Sequence, residues 1–176
     1  MSDHGIITEA GAIRFERLLP ARVERVWDYL TRSELRRRWF AGGDMELRAG
    51  GAMTLVFRNS ELAGEGEETP ERFRQYEGIE SKGRIIRCEP PRLLVHSWEE
   101  EGDRESEVSY ELSPRGKETL LVLTHRRLPD RATLADVAGG WHTHLGVLED
   151  VLAGRTPRPF WATQAAVEKE YEERID

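Results

Sequence analysis

The strongest constraint on this chain is a change of period near Pro129. Upstream, between Ala12 and His125, apolar residues recur mostly at every second position, the spacing of strands that bury one face. Downstream, from about Leu134 to Leu152, they recur at three- and four-residue steps, the spacing of a helix. A series of strands followed by one long amphipathic helix points to an α+β fold in which a sheet covers its apolar face with that helix.

The segments can be placed more closely. Ala12 to Leu19 reads as a strand, with Ile13, Phe15 and Arg17 alternating against Arg14, Glu16 and Leu18. Val23, Val26, Trp27 and Leu30 share one helix face. Thr31-x-x-Glu34 has the form of a capping box and predicts a second short helix to about Arg38. Strands follow at Asp44–Arg48 and Ala52–Arg58, then at Glu77–Cys88, which turns at Pro90-Pro91, and at Arg92–Glu99. A polar turn is expected at Glu100–Arg104, then strands at Ser106–Leu112 and Thr119–His125 joined through Pro114–Lys117. Between the third and fourth strands, Asn59–Tyr76 carries Gly64, Gly66, Pro70 and many glutamates, and reads as an exposed, mobile loop. Thr133-x-x-Asp136 resembles another capping box, placing the long helix at about Leu134–Leu152 with Gly154 as its stop. Gly139, Gly140 and Gly146 each cost about 1 kcal/mol in a helix relative to Ala. They suggest a wall that lies close to something or leaves room for it. Phe160-Trp161 reads as an apolar plug and Ala162–Arg174 as a polar last helix.

Composition narrows the function. The chain has 176 residues, enough for one domain with a real core, and a net charge of -7, which argues against general binding to nucleic acid or anionic membranes. The basic run Arg36-Arg37-Arg38 reads as a solvated helix face rather than a phosphate site. The single Cys88 cannot form an internal disulfide and reads as a packing residue. Met1–Gly5 has no secretory pattern and no stretch nears about 18 apolar residues, so a cytoplasmic protein with no membrane partner is expected.

The order strand, two short helices, about six strands and long helix resembles the START-like superfamily known as SRPBCC. The more specific resemblance is to the branch related to the activator of the heat-shock chaperone ATPase. The residues that carry it are Val26-Trp27-x-x-Leu30-Thr31 with Glu34-Leu35-x-x-x-Trp39-Phe40, and Gly83-Arg84-Ile85-Ile86 with Glu89-Pro90-Pro91-Arg92-Leu93-Leu94 and Ser97-Trp98. A third set is Leu121–His125 with Gly140-Trp141-x-x-x-Leu145-x-x-Leu148. The resemblance implies a helix-grip fold, a curved antiparallel sheet of about six to seven strands around the C-terminal helix. It implies a domain at residues 1–154, with 155–176 as an extension packed on it. The long 59–76 loop and the tail depart from the family pattern. Either could gate a pocket mouth or contribute to a homodimer.

In such a fold the space between sheet and helix is where chemistry would sit. The residues expected near it are Trp39, Phe40, Met53, Leu55, Phe57, Trp98, Tyr110, Trp141, His144 and Leu148. Large rings with one polar atom suit a small, largely apolar ligand, lipid-like or aromatic, in a cavity of roughly 300–1,000 Å³. For Trp98 and Trp141, filling the core is an equal alternative. His142 and His144 point some 200° apart on a helix and cannot chelate one ion, and no metal or cofactor motif appears. His144 suits a polar anchor or general base, and a core histidine is the competing reading. His144→Ala is expected to change ligand affinity with little effect on melting. Ligand binding leads the readings. A cyclase or hydrolase would need a second titratable group within reach of His144, such as His96 or Tyr110. A chaperone cofactor or protein-interaction module would need a filled interior and an exposed apolar patch, for example at Phe160-Trp161.

Overall fold

Residues 2–99 and 104–175 are described in the computed structural model. The strands are β1 (Ile6–Glu9), β2 (Ala12–Leu19), β3 (Ala52–Phe57), β4 (Ile79–Glu89), β5 (Leu93–Glu99), β6 (Glu105–Arg115) and β7 (Glu118–Arg126). They form one antiparallel sheet in the order β1-β2-β7-β6-β5-β4-β3. The helices are α1 (Val23–Thr31), α2 (Ser33–Arg36), α3 (Glu71–Arg74), α4 (Arg131–Leu152) and α5 (Phe160–Arg174). The architecture is the expected α+β helix-grip fold. Period-2 burial is clear on β2, where Ile13, Phe15, Arg17 and Leu19 are buried while Arg14 and Leu18 are exposed. The apolar face of α4, with Trp141, Leu145, Leu148 and Leu152, joins Ile13, Phe15 and Leu19 in one core. On α1, Val23, Val26, Trp27 and Leu30 all turn inward.

Several local expectations are corrected. Asp44–Arg48 forms no strand; isolated bridges join Gly42 to Val56 and Met45 to Met53. Its Asp44, Glu46, Leu47 and Arg48 are exposed, so little burial holds the segment in a ladder. Neither capping box forms. The Thr31 hydroxyl bonds back to the Trp27 carbonyl at 2.9 Å, and α2 starts after Arg32 with no side-chain cap. At α4 the cap is Asp130, whose carboxylate accepts the Thr133 N–H at 2.8 Å, so the helix starts at Arg131. The missed β1 is short and exposed throughout, so it has no burial period to read. Strand β6 continues through Pro114 to Arg115, where its pairing with β7 ends at Glu118. The expected turn at 100–104 lies outside the described residues, except for Arg104.

The basic run is not one solvated face. Arg37 and Arg38 are exposed, but Arg36 is 1% exposed. Its guanidinium donates to the carbonyls of Ala41 (2.9 Å), Thr31 (3.1 Å), Leu30 (3.4 Å) and Gly43. These bonds pin the chain that leaves α2 and carries Trp39 and Phe40 into the core.

The 59–76 segment is also more structured than its composition suggests. It holds a 3₁₀ turn at Asn59–Leu62, with Leu62 buried, and α3. Phe73 stacks on Trp161 at 5.1 Å, and Arg72 pairs with Glu168. The Glu67 carboxylate accepts backbone N–H groups of Gly64 (2.8 Å), Ala162 (3.1 Å) and Trp161 (3.4 Å), capping α5 from a distant part of the chain. Helix α5 lies along α4. Gly139 allows this closeness, since a Cβ there would stand 3.3 Å from Glu168; Gly146 makes room for the connection before α5, where a Cβ would stand 2.9 Å from the Arg158 guanidinium.

Candidate functional site

The sheet and α4 do not close completely at one end. A recess of about 160 Å³ remains there, lined by Phe40, by Phe57, Trp98 and His125 of the sheet, by Asn59, and by Val137, Gly140, Trp141 and His144 of α4. Asn59, Trp98, Val137 and Gly140 are only half-buried, which marks the side that opens to solvent. The space is smaller than the anticipated cavity because aromatic rings occupy much of the interior. Phe40 stacks between Trp39 at 5.2 Å and Trp141 at 4.9 Å, and meets Phe57 edge-on at 5.3 Å.

Of the residues read from the sequence, the structure brings Phe40, Phe57, Trp98, Trp141 and His144 together around the recess. Trp39, Met53, Leu55, Tyr110 and Leu148 lie in the buried core behind it. Asn59, His125, Val137 and Gly140 complete the lining. Asn59 was hidden in the acidic segment. His125 carried a signal, since the alternation Leu121, Leu123, His125 places it on the buried face of β7.

Three buried imidazoles have their protons placed by their neighbours. The indole N–H of Trp141 donates to His125 Nδ1 at 3.1 Å, so His125 carries its proton on Nε2, 2.7 Å from the Ser106 hydroxyl. His96 Nδ1 lies 2.9 Å from the Ser97 carbonyl and therefore bears the proton; its Nε2 accepts from the Tyr110 hydroxyl at 3.1 Å. The strand register explains both side-chain contacts: Val108 faces His96 on one side and His125 on the other, placing Tyr110 and Ser106 diagonally across from the two rings. His144 Nδ1 donates to the Trp39 carbonyl at 2.8 Å, leaving Nε2 as an acceptor on the recess wall.

Burial dominates the electrostatics. It pulls His144 and His96 down to about 4 and His125 to about 3, and pushes the Tyr110 phenol up. All three imidazoles are neutral at pH 7. His96 and Tyr110 bond to each other, whereas His144 is committed to a backbone carbonyl. The recess is therefore an uncharged, aromatic space with hydrogen-bonding atoms in its wall.

Beside it lies an outer groove of about 270 Å³, which shares Phe57, Asn59 and Trp98 with the recess and continues to Phe73, Tyr76, Ile79 and Trp161. Asn59 Oδ1 and Trp161 Nε1 are buried polar atoms with no hydrogen-bond partner among the described residues.

Comparison with known proteins agrees with this architecture. Residues 20–153 match the family described as "Activator of Hsp90 ATPase homolog 1-like protein". The chain belongs to that family. A solved structure from Bordetella parapertussis, the protein encoded by gene BPP1335, is 47% identical, with 98% of this chain and 91% of that one covered and a TM-score of 0.84. CalU16 from Micromonospora echinospora is 28% identical over 98% of this chain and 94% of its own, with a TM-score of 0.69. DynU16, a protein in the dynemicin biosynthetic locus, shares the fold at 20% identity and a TM-score of 0.64, covering 84% of this chain and 49% of its own. No curated protein matches the chain. Among the described residues, no helix is long and apolar enough to cross a membrane, and no group of three or more His, Cys, Asp or Glu could hold a metal.

Proposed function

We propose that this family member binds one small, largely apolar, uncharged molecule in the recess between the sheet and α4. The observation that carries the reading is Gly140. It lies inside a 22-residue helix, and a Cβ built on it would meet nothing within 4 Å among the described residues. A glycine there costs about 1 kcal/mol of helix stability relative to alanine. At Gly139 and Gly146 a close neighbour accounts for the missing side chain; at Gly140 there is none among the described residues, and the open space of the recess lies beside it. The neutral rings around that space support an apolar occupant, and His144 Nε2 supplies an acceptor to orient it.

An acid–base enzyme is less well supported. Imidazoles with pKa values near 3–4 are weak bases at neutral pH, and His144 has neither His96 nor Tyr110 as a hydrogen-bond partner. A protein-interaction module also has less support, because Phe160 and Trp161 are 1% and 7% exposed and form no open apolar patch.

Native mass spectrometry of freshly purified protein tests the binding reading. The expected result is a co-purified small molecule, or, after its removal, saturable one-to-one binding of an apolar aromatic probe. A clean apo mass with no saturable binding across a panel of such probes would overturn it.

A further inference from the structure

The recess alone is small for a ligand. A cavity of about 150 Å³ holds a single benzene ring, and ordinary ligand sites span roughly 300–1,000 Å³. At about 160 Å³ the recess matches one ring. The adjoining groove of about 270 Å³ shares Phe57, Asn59 and Trp98 with it, so a molecule passing between these side chains would occupy a combined space in the ordinary range.

Asn59 stands at the junction and lines both spaces; its Oδ1 has almost no exposed surface and no hydrogen-bond partner among the described residues, so a ligand reaches it only once the amide turns toward the junction. A buried acceptor without a donor is costly, and native structures rarely leave one unexplained. A hydroxyl suits this place, because it can donate to the amide oxygen and can also accept from an amide N–H. The outer groove has aromatic and aliphatic walls in Phe73, Tyr76, Ile79 and Trp161. The acidic residue of its lining, Glu77, is already bonded to the Ser60 hydroxyl and N–H, and an acidic side chain there disfavours an anionic occupant.

We infer that the site extends through both spaces and takes a two-part neutral molecule: one planar ring in the recess, an apolar body in the outer groove, and a hydroxyl between them facing Asn59. This rests on the binding reading above and sharpens it to a ligand class.

Isothermal titration, direct or by displacement, tests it with three probes: phenol (one ring), 2-phenylphenol (two rings with a hydroxyl beside their junction) and 2-methylbiphenyl (the same shape without the hydroxyl). The expected result is that 2-phenylphenol binds at least tenfold more tightly than either of the others. Ile79→Glu changes an exposed position of the outer groove and leaves the core intact; it should bring 2-phenylphenol to the level of phenol while phenol is unchanged. Asn59→Leu should erase the difference between 2-phenylphenol and 2-methylbiphenyl. If phenol matches 2-phenylphenol in the unmodified protein, or Ile79→Glu weakens both equally, the outer groove is not part of the site. If 2-methylbiphenyl matches 2-phenylphenol, Asn59 does not select the ligand. If none of the three binds, the binding reading itself fails.

Discussion

The two halves of α4 face the same sheet but behave differently. From Val137 to His144 the helix presents a glycine with no close neighbour among the described residues, a half-buried valine and two polar rings bonded to Trp39 and His125. From Leu145 to Leu152 it is close-packed, with Leu145, Leu148 and Leu152 all at most 3% exposed. This second half also holds an ionic clamp. Asp150 accepts from the Arg158 backbone N–H, from Arg158 Nε and Nη2, and from Arg155, all within 3.0 Å. Next to it, Glu149 lies 2.9 Å from the buried Arg17 of β2. The helix is thus clamped in its C-terminal stretch and leaves room along its middle. Stability and binding are separable along a single element, and substitutions in the two halves should have opposite signatures.

The largest effect is expected in the packed half. Leu148→Ala should cost about 2–5 kcal/mol, the range for truncating a buried leucine, read as a lower urea midpoint. Asp150→Ala should cost about 2–3 kcal/mol, less than for a fully enclosed pair because both arginines reach solvent. The side-chain bonds from Arg158 hold the Asp150 carboxyl well below the ordinary carboxylate range. Its contribution is therefore complete above the usual Asp value near 4 and is lost as pH falls through that value toward the depressed folded one. Urea midpoints measured at descending pH should show a loss in the parent chain that Asp150→Ala lacks. A pH profile unchanged by this substitution would break the contrast between the halves.

In the open half, His144→Ala strands a buried Trp39 carbonyl and should cost about 1–3 kcal/mol. This revises the expectation of unaltered melting, because the same ring lines the recess and holds the core. Its affinity loss must accordingly be measured well below the melting temperature. The smallest effect has the opposite sign. Gly140→Ala should stabilise the chain by up to about 1 kcal/mol while weakening a ligand that uses the space. A stabilised Gly140→Ala with unchanged affinity would mean that the recess is incidental.

Much of the fold was legible because burial imposes a period. Ile13, Phe15 and Arg17 on β2, and Trp141, Leu145, Leu148 and Leu152 on α4, repeat at spacings that only one kind of element satisfies. Where burial is slight the signal vanishes, as at the exposed β1, or misleads, as at Asp44–Arg48. Local hydrogen-bond motifs were less dependable, since Thr31 and Asp130 found partners that neither apparent capping box required. The candidate site was only half legible. Trp98, Trp141 and His144 stand out as large or polar groups on apolar faces. Asn59 sits in a stretch whose glutamates suggest solvent, and its place depends on how Glu67, Arg72 and Phe73 dock that stretch on α5. Empty volume depends on which distant rings meet, and no single segment encodes that.

Arg36 and Asp150 are both buried ionic residues, but they should answer the solvent differently. Peptide carbonyls hold the guanidinium, and these neither titrate nor attract counterions. Strong acid, well below the ordinary carboxylate range, or concentrated salt should therefore loosen the tail's attachment while the corner beneath Phe40 keeps its shape. A chain caught in that intermediate condition would retain the floor of its binding space after losing the grip on its C-terminal end.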